Sequence, residues 1–431
     1  MGGEGGAAQR TLILPPLAHL LTLAIFLGPV AAGLGGTLLP AFGWLPALGG
    51  TTLSLDPWRA LLDTPGLPRA VALTAFTGVT ATALSFALVV LFCAAAHGTR
   101  LFARVQAMLS PVLATPHAAL AIGFAFLVAP SGWIARLVSP WLTGWDRPPD
   151  IATVGDPWGL ALILGLVLKE APYLLLMTFA ALAGSPAGHA VRAARALGYG
   201  PVTAWLKAAL PLVYPQLRLP VYAVLAFSLS VVDVAVVLGP GTPPTLSVLV
   251  LRLMGDRDLA LWFPAAAGAT ALLLITLGAI ALWRFAERAV AALGLRWIEA
   301  GGRGGEARSI RILAPAAMIA VLAASAGAIL ALLVWSLAGP WRFPEALPGA
   351  FTLGTWERQA GAIAGPALAT LTVATLSTLV ALALTLACLE AETRHGRRAL
   401  AVLWLPLLTP QLAFLFGWQV LLVRAGLDGT A

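Results

Sequence analysis

Residues 158–211 read WGLALILGLVLKEAPYLLLMTFAALAGSPAGHAVRAARALGYGPVTAWLKAALP, and the two parts of that stretch obey different rules. From 158 to 183 the chain is apolar apart from Lys169-Glu170-Ala171-Pro172. A helix of that length crosses the roughly 30 Å of bilayer hydrocarbon at 1.5 Å per residue. From Gly184 to Leu210 the character changes: Arg192, Arg195 and Lys207 appear with no acid, and Ser185-Pro186, Gly198 and Gly200-Pro201 punctuate the sequence. Ser185 is predicted as an N-cap with Pro186 in the first helical position, and Gly198 as a left-handed stop. A short helix between them places His189, Arg192 and Arg195 on one face, and Val191, Ala194 and Leu197 on the other. Gly200-Pro201 then restarts a helix through Trp205 and Lys207. An apolar span followed by a basic helical loop is the pattern of a polytopic membrane protein.

Outward from this stretch the apolar runs recur. Nine are long enough to span, near residues 12–34, 68–96, 107–130, 158–183, 211–239, 260–284, 313–338, 366–390 and 401–423. The expected fold class is therefore all-α, a polytopic membrane protein of about nine transmembrane helices. The first run is too long for a signal peptide, contains Pro15 and Pro16 and lacks a small-residue cleavage pattern, so it is expected to stay. Placing the N-terminus in the cytoplasm puts most basic residues in inner loops, as the positive-inside rule requires. Trp133, Trp141, Trp145 and Trp158 then fall outside, where they read as interface anchors.

Composition agrees. Of 431 residues, 60% are hydrophobic and 10% charged, against about 45–50% apolar and 25% charged in soluble domains. This excludes a soluble enzyme and a disordered chain. The net charge of +8 comes almost wholly from arginine and does not by itself indicate nucleic acid. Cys93 and Cys388 each lie in an apolar run, which leaves no disulfide framework and no metal cluster. His19, His97, His117, His189 and His395 are scattered, and each reads as structural. No G-x-x-x-x-G-K-[ST] loop occurs, so the chain is not its own P-loop ATPase. No catalytic residue, metal or cofactor is expected.

The sequence repeats. A shift of 298 superposes Pro68 on Pro366, Thr74 on Thr372, Thr77 on Thr375, Thr80 on Thr378 and His97-Gly98 on His395-Gly396. A shift of 294 pairs Pro116 with Pro410 and Gly123 with Gly417. The second span thus matches the eighth, and the two copies share one orientation. The expected organisation is a first half over residues 1–300, with six spans and the loop 184–211, and a second half over 301–431 that stops after its third span. Gly198 plus 294 falls past Ala431, so the natural frame is expected to continue, or another chain to supply the remainder.

The loop 184–211 resembles the cytoplasmic loop of type I importer permeases of the ABC family. Their pattern is Glu-Ala-Ala, three residues, Gly, nine residues, an aliphatic residue, one more, then Leu-Pro. Here Ala193, Ala194, Gly198, Leu210 and Pro211 fit it, with the Gly-to-Pro step preserved. Arg192 stands where the family has Glu, and Ala208 where it has a larger aliphatic. The repeat makes the chain similar to the fused, double-length permeases of ferric iron and thiamine importers. The resemblance implies a coupling helix, including Arg192 and Arg195, seated in a groove of a cytoplasmic ABC ATPase dimer. It also implies ATP hydrolysis in that separate subunit, an external solute-binding protein, a bacterial inner-membrane location with lipid as surroundings, and no nucleic-acid partner.

Lys169, Glu170 and Asp233 are charges inside spans. Each costs at least about 2.5–3.5 kcal/mol at the bilayer centre and must face protein or water. Two roles are open: lining a translocation path, or an intramembrane ion pair such as Lys169 with Asp233. Thr74, Thr77 and Thr80 read as a helix-packing stripe. The alternative to an ATP-driven permease is a secondary transporter with two parallel six-helix halves. The loop after the second span, HGTRLFARVQ, lacks the acid that such a transporter's commonest signature carries. A lipid-modifying membrane enzyme would need an acid, base or metal beside the inner arginines, and Glu287, Glu299 and Glu306 form no such constellation.

Overall fold

The computed structural model describes residues 14–395 and 404–426. All of its regular structure is helical: α1 (Leu14–Ala41), α2 (Asp56–Leu62), α3 (Leu67–Ala96), α4 (Arg100–Ala114), α5 (His117–Val128), α6 (Trp133–Val138), α7 (Leu160–Ala183), α8 (Ala187–Ala196), α9 (Pro201–Ala204), α10 (Leu210–Ser230), α11 (Asp233–Leu238), α12 (Leu246–Met254), α13 (Trp262–Glu299), α14 (Arg308–Leu337), α15 (Gly354–His395), α16 (Leu405–Leu408) and α17 (Gln411–Arg424). Two isolated bridges, Leu45 with Gly50 and Ala338 with Phe351, are the only β pairing among the described residues. Among the described residues eight helical stretches, one of them running through α5 and α6 from His117 to Val138, are long and apolar enough to cross a membrane. The ninth expected span corresponds to α17, whose 14 residues fall short, while 401–403 lie outside the described residues.

Two expected spans prove to be broken helices. The run 107–130 divides at Thr115-Pro116: Thr115 adopts extended geometry (φ −72°, ψ 129°), as a residue before proline must, and α5 starts at His117. The run 211–239 divides at Val231, also extended (φ −59°, ψ 136°), before α11. Before α10 the backbone passes through a π turn at Trp205–Ala209. Such a turn accommodates an extra residue within a continuing helix.

The main core lies among α3, α5, α7 and α10, where Phe92, Leu120, Leu166, Leu174, Leu175, Val213 and Val221 are buried. Two residues of the threonine stripe, Thr74 and Thr77, are buried on α3. The Thr74 hydroxyl accepts from the first amide of α12, Leu246 N–H, at 2.8 Å, and Thr77 donates to the Leu73 carbonyl. The first helix of each expected half packs on the other half. Helix α5 crosses α14 so closely that a Cβ on Gly123 would overlap the Ala328 carbonyl, and α17 crosses α1 so that one on Gly417 would overlap the Gly33 carbonyl. Likewise α3 lies along α14, and α15 along α1. Pro116 and Pro410 each stand just before the first residue of their helix, at nearly the same backbone angles. His395 through Arg398 of the repeat lie at or beyond the edge of the described residues.

Candidate functional site

The loop after α7 folds as a short helix set across the end of the bundle. Its cap falls one residue later than expected: α8 begins at Ala187, Pro186 is the N-cap residue, and the Ser185 hydroxyl accepts from Ala187 N–H at 3.4 Å. Proline at 186 cannot donate an amide, so the first helical residue with a free N–H is the one that Ser185 reaches. The helix runs to Ala196, and Gly198 follows with φ +86°, the left-handed conformation expected of it. Ala187 and Val191 are buried against the bundle. Arg192, Ala193, Arg195 and Gly198 are exposed, and Ala194 is half-buried. Leu197, expected on the packed face, is 64% exposed, because the chain turns away at Gly198 before the helix brings it inward. Arg192 holds His189 Nδ1 at 3.0 Å. Leu210 is half-buried where α10 begins, and Pro211 is exposed.

The segment 300–307 between the two expected halves is laid against this loop. Gly200 N–H donates to the Arg303 carbonyl at 2.9 Å. Lys207 Nζ donates to the carbonyls of Trp297 and Gly302, both at 2.8 Å, and stands 4.6 Å from the Trp297 ring centre. A Cβ on Gly200 would overlap the Gly305 carbonyl, so the approach requires glycine. Nothing in the spacing of the sequence marks this docking beyond the run of glycines at 301–305.

The intramembrane charges are not joined as a Lys169–Asp233 pair. Lys169 and Glu170 are 6% and 4% exposed. Lys169 Nζ donates to the carbonyls of Val112 and Leu113 at 2.9 Å and to that of Thr115, not to Asp233. These are carbonyls at the C-terminal end of α4 that the break leaves without helical donors, and an ammonium with three protons serves all three. Glu170 Oε1 lies 3.4 Å from Nε2 of His117, the first residue of α5. Adjacent residues of α7 therefore hold the two ends of the α4–α5 break, the cation at a helix C-terminus and the anion at a helix N-terminus, as the helix dipoles favour. Asp233 is exposed at the start of α11. The signal for this arrangement, Thr115-Pro116-His117, was present in the sequence, but its distance of more than fifty residues from Lys169 hid it.

Two further groupings escaped the sequence. Glu287 accepts from Tyr214 Oη at 2.6 Å, Arg284 at 2.6 Å and Arg218 Nε at 3.1 Å, tying α10 to α13. Arg136, almost fully buried, donates to the carbonyls of Ser131 and Arg342 at 2.8 Å and stands over the Trp341 ring. At the α8 end, His97 packs edge-on to Phe102, and its pKa is held below the ordinary value by burial and then by the charge of Arg192.

No protein-family model matches the chain. Over 385 residues it is 29% identical to the inner membrane ABC transporter permease protein YnjC of Escherichia coli (strain K12). The match takes in 88% of this chain and 66% of that protein, so the chain spans just under two thirds of its relative's length. Sequence relation and architecture agree that this chain is a polytopic all-helical protein similar to the permeases of ABC transporters.

Proposed function

We propose that this chain is a translocation subunit of an ABC importer, driven by a separate cytoplasmic ATPase dimer that docks on residues 185–211. The observation that carries this reading is the loop itself: a short helix closed by a left-handed Gly198, with Arg192, Ala193, Arg195 and Leu197 exposed. Its underside is fixed by Ala187, Val191 and the docked segment 300–307. A rigid, outward-facing helix transmits a push, whereas a flexible loop would absorb it. In this reading Ala194 and Leu210, both half-buried, set the helix position, and Pro211 is exposed beside them. The N-terminus is cytoplasmic, an external solute-binding protein delivers the cargo, and residues 1–300 and 301–431 are two permease halves. The reciprocal crossings of α5 on α14 and α17 on α1 support that division. Lys169 and Glu170 support the path by holding the α4–α5 break, and Asp233, exposed, is the charge available to line it.

Co-purification with the ATPase and uptake assays test the proposal. Gly198→Val places a β-branched residue at φ +86°, which costs about 1–2 kcal/mol. It is expected to weaken ATPase association and uptake far more than Ala193→Ser. Intact association and uptake in Gly198→Val, or in a chain lacking residues 190–200, would overturn the coupling role.

A further inference from the structure

At the α8 end a cavity of about 70 Å³ opens where three elements meet: the α3–α4 turn, helix α8 with the start of α9, and the beginning of α14. Its polar lining is His97, Thr99, Arg195, Trp205 and Arg311. Two guanidiniums, an indole N–H and an imidazole offer donors here, while the Thr99 hydroxyl already donates to the Ala96 carbonyl at 2.6 Å. No carboxylate lines the cavity, and the acid beside it, Glu306, pairs with Arg311 from the docked segment. Trp205 is 1% exposed, yet its Nε1 has no acceptor among the described residues. Buried indole N–H groups find partners, so this one is waiting for an acceptor. The space exceeds several-fold what one water needs.

We propose that this cavity binds one phosphate-type oxyanion, free inorganic phosphate or the phosphate of an anionic lipid headgroup. Such an anion accepts from Trp205 Nε1, Arg195 and Arg311 together, and so ties α8 to α14 across the two expected halves. Phosphate suits the site because its oxygens accept from several directions and guanidinium groups bind it bidentately. The proposal rests on the cavity alone and stands whether or not α8 meets an ATPase.

The test is equilibrium dialysis of the 431-residue protein in phosphatidylcholine nanodiscs against radiolabelled inorganic phosphate, at constant ionic strength set with chloride. One saturable site is expected. Arg195→Gln and Arg311→Gln are each expected to weaken it about tenfold, the loss of one charge-assisted hydrogen bond. Trp205→Phe is expected to weaken it less, and the two arginine variants keep the test decisive if that variant does not fold. A second arm uses protein purified from phosphatidylglycerol discs without phosphate. Retention of that lipid by the wild type and its loss in Arg195→Gln identifies the headgroup as the source. Neither saturable phosphate nor retained lipid, or binding unchanged in both arginine variants, overturns the proposal.

Discussion

Lys169 shows how a charge in a membrane helix can be structural. Its ammonium replaces three missing amide donors at the end of α4, and removing it leaves those carbonyls unserved and takes a positive charge from beside the buried Glu170. Lys169→Met is therefore expected to destabilise the protein by about 3–5 kcal/mol. Asp233→Asn, exposed, should stay within about 0.5 kcal/mol. Unfolding midpoints in detergent check both, and a Lys169→Met protein as stable as wild type would remove the capping role. His97 carries a pH prediction. Its folded pKa lies below the ordinary 6.5, so the folded state binds its proton less readily than the unfolded chain. Stability is fully present above 6.5 and is lost as pH falls from there through the folded value. A His97→Gln variant should lose that part of the acid-side slope in melts between about pH 7 and pH 5.

Among elements, the close crossings decide the packing. Without a hydrophobic drive between helices in lipid, small residues that let backbones approach supply the contact. Gly123 lets α5 reach the Ala328 carbonyl, and Gly417 lets α17 reach Gly33. A branched side chain at either site forces the pair apart. Gly123→Val and Gly417→Val are each expected to cost at least about 1–3 kcal/mol of overpacking strain, read as a lowered melting midpoint. Gly35→Val, on the same α1 but with open space around it, is the control that should leave the midpoint nearly unchanged. Equal effects at all three positions would mean that the crossings are not what glycine provides.

For the whole molecule, the reciprocal arrangement makes each expected half depend on the other. Helix α1 lies against α17 and α15, and α14 against α5 and α3. The connection at 301–305 is therefore not needed to keep the halves together. Co-expressed segments 1–305 and 306–431 are expected to co-purify in detergent through a tag on either one. Separation of the two on the column would show that the covalent link, and not the crossings, holds the assembly. By contrast Thr372 and Thr375 of α15 are exposed, although they stand at the repeat positions of the buried Thr74 and Thr77. The same letters pack in one copy and face outward in the other, because burial depends on the neighbours that arrive.

Local rules were legible in the sequence. Hydrophobic length gave most of the spans and glycine the left-handed stop at 198, since each of these acts within a few residues of itself. The same locality set the failures. Pro186 moved the cap of α8 by one residue, and Thr115-Pro116 divided a run that length alone read as continuous. What no local rule could supply were partners distant in the chain: Lys169 with the end of α4, Glu170 with His117, Glu287 with Arg218, and the glycine-rich segment against Gly200. The sequence determined that Lys169 and Glu170 had to be shielded from lipid, because an ion near the middle of a span is costly whatever its partners turn out to be. Only the tertiary structure decided how they are shielded, because the unserved carbonyls of α4 come into being when the chain breaks at Pro116 and α7 packs beside that break.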